Sequence, residues 1–252
     1  MEYPEIDAFA SLNSPIHRFD PRAKMLTFTL LIFSFAFVDD LKIALYGFLF
    51  SILILLVSRL PMGFALKRIR MVFFFLFPLL LIMPLTVDGE ELMNISGISV
   101  STEGLAYASL IIIRALAAVT LAFTMLATTR FDMTMKALYA LRVPGMLVQM
   151  LMFTYRYIFV IIDEFSRMWE SMQCKGFRLK ANYHGLSIFG NILGMLIIKS
   201  YDRTSRVYQA MVSKGYSGRP RALINFKMST KDYVLSTCMV LIAVSVHLIN
   251  WY

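Results

Sequence analysis

DEFSRMWESMQCKGF, residues 163–177, and DRTSRVYQAMVSKGY, residues 202–216, spell nearly the same pattern 39 residues apart. Asp, Ser, Arg, Met, Lys and Gly coincide at six positions. Met168/Val207, Trp169/Tyr208, Ser171/Ala210, Cys174/Ser213 and Phe177/Tyr216 differ conservatively. Each copy reads as a charge-bearing helix closed by Lys-Gly-aromatic. Such an ending has an ordinary structural use, because Gly adopts the left-handed cap without a Cβ penalty and Lys suits the negative helix end. Capping does not require the matching residues upstream. Asp163/Arg167 and Asp202/Arg206 stand at i,i+4 spacing, where a pair contributes only about 0.3–0.5 kcal/mol. Stability therefore does not explain the duplication. A partner that offers two equivalent docking sites does, and Cys174-Lys175-Gly176 and Ser213-Lys214-Gly215 are the expected docking ends.

Working outward, the remainder is mostly apolar. Hydrophobic residues make up 58% and charged residues 16%, with 21 Phe and 18 Met. This predicts an all-α integral membrane protein. Apolar stretches at 24–38, 41–58, 71–87, 104–127 and 233–251 predict about five transmembrane helices. The first two are short, so Lys24 and Arg59 are expected to snorkel to the headgroups. Asp39 and Asp40 mark the turn between them, and Pro78 and Pro84 interrupt the third. No basic region follows Met1, so a cleaved signal peptide is not expected.

Charge orients the spans. Residues 59–70 carry Arg59, Lys67, Arg68 and Arg70 without an acid, and residues 87–103 carry Asp88, Glu90, Glu91 and Glu103 without a base. Residues 130–232 hold 16 Lys and Arg against 6 Asp and Glu. The positive-inside rule then places the N-terminus and residues 129–230 in the cytoplasm of a multi-pass cell-membrane protein. The +9 net charge expresses this topology and not a nucleic-acid footprint. Two further apolar stretches, 143–162 and 186–198, compete for membrane status. If both spanned, the two copies of the repeat would face opposite sides. They are therefore read as long helices in or under the cytoplasmic interface, at 144–175 and 186–214, after a short helix near 132–141. The organisation is a four-span bundle over 1–128, a coupling-helix region over 129–230 and a final span over 231–252.

The residues resemble the T component of energy-coupling-factor transporters, of the cobalt type CbiQ. Ile6-Asp7, Pro15, His17-Arg18, Asp20-Pro21-Arg22 and Lys24 match that family's approach to its first span. Leu141-Arg142-Val143-Pro144, Tyr155-Arg156-Tyr157 and Asp163-Glu164 match its central part. The two helix endings correspond to its paired Ala-Arg-Gly motifs, here with Lys for Arg and Cys or Ser for Ala. The resemblance implies a non-catalytic coupling subunit. Its endings would dock on two cytoplasmic ABC-type ATPases, which bind ATP, and a separate membrane-embedded subunit would bind cobalt. Asp163, Arg167, Asp202 and Arg206 would support the coupling helices. Nickel or a vitamin is the alternative cargo. Lys lacks the planar fork that grips carboxylates bidentately.

The remaining residues point to little chemistry. Cys174 and Cys238, and His17, His184 and His247, are too scattered for a metal centre. No phosphate-cradling glycine loop occurs, so ATP hydrolysis is not expected of this chain. Arg114, in the middle of the fourth span, is either a functional intramembrane cation or a structural one bonded to backbone or Ser109. An enzyme acting on a lipid through Arg114 and Asp39-Asp40, or a self-sufficient permease, are the readings from other classes.

Overall fold

Caps decide where the helices begin. Asp20 accepts from the Arg22 backbone N–H at 2.9 Å, with Pro21 preset for the first turn, and opens α1, Pro21–Ala36. Asp40 does the same for Lys42 and opens α2, Leu41–Val57. Pro61 precedes α3, Met62–Thr86, and Ser101 accepts from Gly104 N–H to open α4, Thr102–Ala127. There follow α5, Phe131–Ala140; α6, Gly145–Cys174; α7, Tyr183–Ser213; and α8, Thr230–Trp251. Between α3 and α4, β1 (Glu91–Ile95) and β2 (Ile98–Ser101) pair as a short antiparallel hairpin. The computed structural model describes residues 9, 12–87, 91–95, 98–177, 182–218 and 228–251.

The protein is an all-α membrane protein. Among the described residues, α3, α4, α6 and Thr230–Leu248 of α8 are long and apolar enough to cross a membrane. At 16 and 17 residues, α1 and α2 are shorter. They reach only about 25 Å, against a hydrocarbon core of about 30 Å. The third span starts at Met62 and not near 71, because nothing between Gly63 and Phe77 breaks a helix; Lys67, Arg68 and Arg70 therefore ride on it. α6 qualifies by composition as well, since its charged residues crowd into its C-terminal half.

The chain divides into two compact units. One comprises Glu5–Ala137 with Ile224–Tyr252, so α8 joins the N-terminal helices; the other contains Leu138–Leu223. In the first unit α4 packs against α1, α2 and α3, and α8 packs against α1. Phe28, Leu31, Phe35, Leu121, Met239 and Ala243 form the core. Ala117, Thr120 and Thr124 are buried on α4, where small side chains let helices approach closely. Gly104 marks a close approach of α3 and α4, where an added Cβ would lie 2.7 Å from both Met83 O and Pro84 Cα. Gly104→Ala is expected to force α3 and α4 apart at a cost of about 1–3 kcal/mol, measured as a lower unfolding midpoint.

Lys24 does not snorkel. It is 1% exposed, and its amine donates to Thr128 O and Oγ1 at 3.3 Å each and to Thr129 Oγ1 at 2.8 Å. Thr128 caps α4, so the cation meets the carbonyl-rich negative end of that helix. Nearby, the His17 Nε2–H donates to Phe9 O at 3.0 Å and the Ser14 hydroxyl donates to Nδ1 at 2.7 Å. Burial lowers the His17 pKa from 6.5, against the opposing Phe9 bond. The neutral ring's contribution to stability is full above pH 6.5 and disappears as pH falls through the lowered folded value. Protection factors of the amides in residues 14–19, corrected for intrinsic exchange, are thus expected to fall as pH drops below 6.5, and His17→Gln is expected to remove that dependence.

Candidate functional site

The two helix endings are the same structure built twice. After α6, the Gly176 N–H donates to Gln173 O at 2.9 Å and the Phe177 N–H to Met172 O at 3.1 Å. After α7, the Gly215 N–H donates to Val212 O at 2.9 Å and the Tyr216 N–H to Met211 O at 3.0 Å. Both are Schellman caps, with Gly176 at φ +81° and Gly215 at φ +80°. The pairing explains the recurrent Met-x-x-Lys-Gly-aromatic: Met supplies the accepting carbonyl, Gly the left-handed turn and the aromatic residue the closing N–H. In each copy the Met and the aromatic are half-buried, whereas the Lys, the Gly and the small residue before them are exposed. Among the described residues, an added Cβ at either Gly would meet nothing within 4 Å. Lys175 and Lys214 are therefore held out from the helix by a fixed backbone turn.

Contacts across α6 and α7 set the spacing of the two endings. Trp169 meets Phe189 edge-on, with centroids 6.5 Å apart, and the Tyr216 hydroxyl donates to Gln149 Oε1 at 2.5 Å. The helices run antiparallel. The first ending lies beside Asn182, His184 and Gly185 at the start of α7, and the second lies at its end. Roughly 45 Å of helix separates them, at 1.5 Å per residue over the length of α7.

Between the endings, Glu164 gathers the charges. Its carboxylate accepts from Lys199 at 2.6 Å and Arg167 at 3.1 Å, with Arg203 at 3.9 Å. The structure thus pairs Arg167 with Glu164 at i,i+3 and not with Asp163 as spacing suggested. Asp163 is half-buried, Asp202 and Arg206 are exposed, and the upstream halves of the two copies have diverged. Sequence reasoning missed Glu164, although a signal was present. Glu164 and Arg203 occupy the same position in the two copies with opposite charge, and these equivalent positions meet where the helices pass.

Arg114 belongs elsewhere. Its Nη2–H donates to Asp39 Oδ1 at 3.0 Å, joining α4 to the α1–α2 turn. Its side chain is 19% exposed and that of Asp39 86%. The buried Arg114 Nε has no partner among the described residues. Among the described residues neither backbone nor Ser109 accepts from this cation; the Ser109 hydroxyl donates to Ala106 O. Asp40 caps α2, and Asp39 accepts from Arg114. Among the described residues no three His, Cys, Asp or Glu side chains gather as metal ligands.

A family profile described as cobalt transport protein, CbiQ, matches residues 12–223. The chain belongs to the CbiQ family. The match spans both helix endings and the resemblance to T components holds. Among named relatives, the energy-coupling factor transporter transmembrane protein EcfT of Staphylococcus aureus is 25% identical, over 98% of this chain and 97% of its own length. EcfT of Thermanaerovibrio acidaminovorans is 28% identical, over 83% of this chain and 82% of its own length. A putative fused cobalt transport protein CbiMQ of Methanocorpusculum labreanum is 27% identical over 54% of this CbiQ-family chain and 24% of its own.

Proposed function

We propose that this CbiQ-family protein is the coupling subunit of an ATP-driven energy-coupling-factor importer of cobalt. The observation that carries the reading is the pair of matched Schellman endings at opposite ends of an antiparallel helix pair. Two equivalent, exposed Lys-Gly turns about 45 Å apart, at opposite ends of antiparallel helices, suit a two-fold pair of cytoplasmic ATPases. A single compact pocket would not span both. The family membership and the names of the EcfT relatives support the same assignment.

In this mechanism each ATPase grips one ending through Lys175 or Lys214. The positive φ at Gly176 and Gly215 fixes the angle at which each lysine leaves its helix. Closure of the ATPase pair on ATP moves both endings, and α6 and α7 pivot about the charges gathered at Glu164. The motion passes through the helices to a separate membrane-embedded subunit that binds cobalt. ATP hydrolysis and metal binding both lie with partners, and this chain is non-catalytic. The cytoplasmic side is the one bearing residues 129–230, as the positive-inside rule requires.

Affinity purification of the tagged chain from native membranes tests the assignment. ATPase subunits and a small membrane protein are expected to co-purify, and vesicles holding the whole complex should take up radioactive cobalt only with ATP. Uptake by vesicles containing this chain alone would overturn it.

A further inference from the structure

Within the unit that holds the N-terminal helices, three helix ends border a cavity of about 610 Å³. It lies among the turn before α1, the turn after α2 and the start of α8. Three cations line it: Arg18, Arg59 and Lys231. None of them has an ion pair or side-chain hydrogen bond among the described residues, whereas their neighbour Arg22 is tied to Asp20. Asp232 is the single acid among the described residues of the lining. Its two oxygens are occupied by the backbone N–H groups of Asp20 at 3.4 Å and Ser229 at 2.8 Å. Phe19 and Leu235 complete the wall with apolar surface.

Arg59 adds an independent observation. It sits at φ +55°, in the left-handed region that glycine enters freely and arginine enters at a cost. A position that invites glycine but holds an exposed cation at the cavity rim suggests that its charge has a use.

We propose that this cavity binds a phosphate group, and specifically the headgroup of an anionic phospholipid. Three cations without an ion pair among the described residues, over an apolar wall, match a phosphodiester attached to acyl chains, and basic pockets between spans on the cytoplasmic side hold such headgroups. Arg18, Arg59 and Lys231 supply the charge, while Phe19 and Leu235 face the glycerol and upper acyl region. The bound lipid would clamp α1, α2 and α8 together at one membrane face. The placement in the cytoplasmic leaflet rests on the orientation proposed above; the binding itself does not.

Native mass spectrometry of the full-length protein released from nanodiscs tests this. With phosphatidylglycerol and phosphatidylcholine in equal amounts, the protein is expected to retain phosphatidylglycerol preferentially. One cation near a charged surface gives about a fivefold preference, so three give on the order of a hundredfold. Arg18→Gln with Lys231→Gln should abolish most of that preference. Arg59→Gly, which relieves the backbone, should weaken it about fivefold with no loss of thermal stability. Retention of both lipids in equal amounts would overturn the proposal. Inorganic phosphate at millimolar concentration separates the two sources: no displacement supports the lipid, and full displacement overturns the lipid in favour of a free-phosphate site. Orientation is read independently, by labelling Asn13→Cys in a Cys174→Ser, Cys238→Ser background with a membrane-impermeant thiol reagent in right-side-out vesicles. Labelling from outside would overturn the orientation and leave the binding result standing.

Discussion

Lys175→Glu combined with Lys214→Glu is expected to release the ATPase subunits from the purified complex and reduce ATP-dependent cobalt uptake to background. Each lysine is exposed, and the cap it sits in is built from backbone bonds through Gly176, Phe177, Gly215 and Tyr216. Reversing its charge should cost the helix only about 0.3–1 kcal/mol from the dipole. The effect on docking is larger, because like-charge juxtaposition at an interface costs several kcal/mol. The single variants should behave differently from the double. One intact ending keeps the second within a high effective concentration, so each single variant should retain the ATPases more weakly and with steeper salt dependence. Undiminished co-purification of the double variant would sink the docking role of these residues. Arginine at both positions is the informative control, since it restores the planar donor.

The second large effect is expected at Lys24. Lys24→Met preserves the length and most of the volume of the side chain but removes the cation from Thr128 O and the hydroxyls of Thr128 and Thr129. Hydrogen bonds from a charged donor contribute about 1.5–3 kcal/mol, and the burial leaves no room for water to replace them. A loss of roughly 2–3 kcal/mol should lower the thermal midpoint by about 5–10 °C. The damage should concentrate at the join between α1 and the end of α4, visible as faster hydrogen exchange in residues 124–130. A variant as stable as the native protein would show that the buried amine contributes nothing net.

These two predictions also show which features the sequence revealed. The endings were legible because a Schellman cap has a local code: glycine at C′ and an apolar residue beyond it, readable without any tertiary information. The long helices at 144–175 and 186–214 were legible for a similar reason, and are observed at Gly145–Cys174 and Tyr183–Ser213. Lys24 was misplaced because a lysine at the edge of an apolar run usually snorkels. Only the packed structure brings the end of α4 to it. The Arg114–Asp39 pair depends on how far up α4 the short α1–α2 hairpin reaches, which no periodicity encodes. Asp163/Arg167 was chosen by spacing alone, and Glu164, one residue further along, faces the opposite helix instead. The reversed charges at Glu164 and Arg203 would have predicted that meeting, had the differences between the copies been weighed as carefully as the identities.

Whether the two endings touch two copies of the same kind of partner is the central question, and the chain carries a natural probe for it. Cys174 is exposed beside Lys175, and Ser213 holds the equivalent position beside Lys214. In a Cys238→Ser background, a short thiol-directed photo-crosslinker is placed on Cys174 in one protein. In a second, it is placed on Ser213→Cys with Cys174 changed to Ser. The account predicts that both proteins, irradiated in native membranes, crosslink to ATPase subunits through equivalent surfaces. Crosslinks from one or both positions to lipid alone, or to a second copy of this chain, would contradict it.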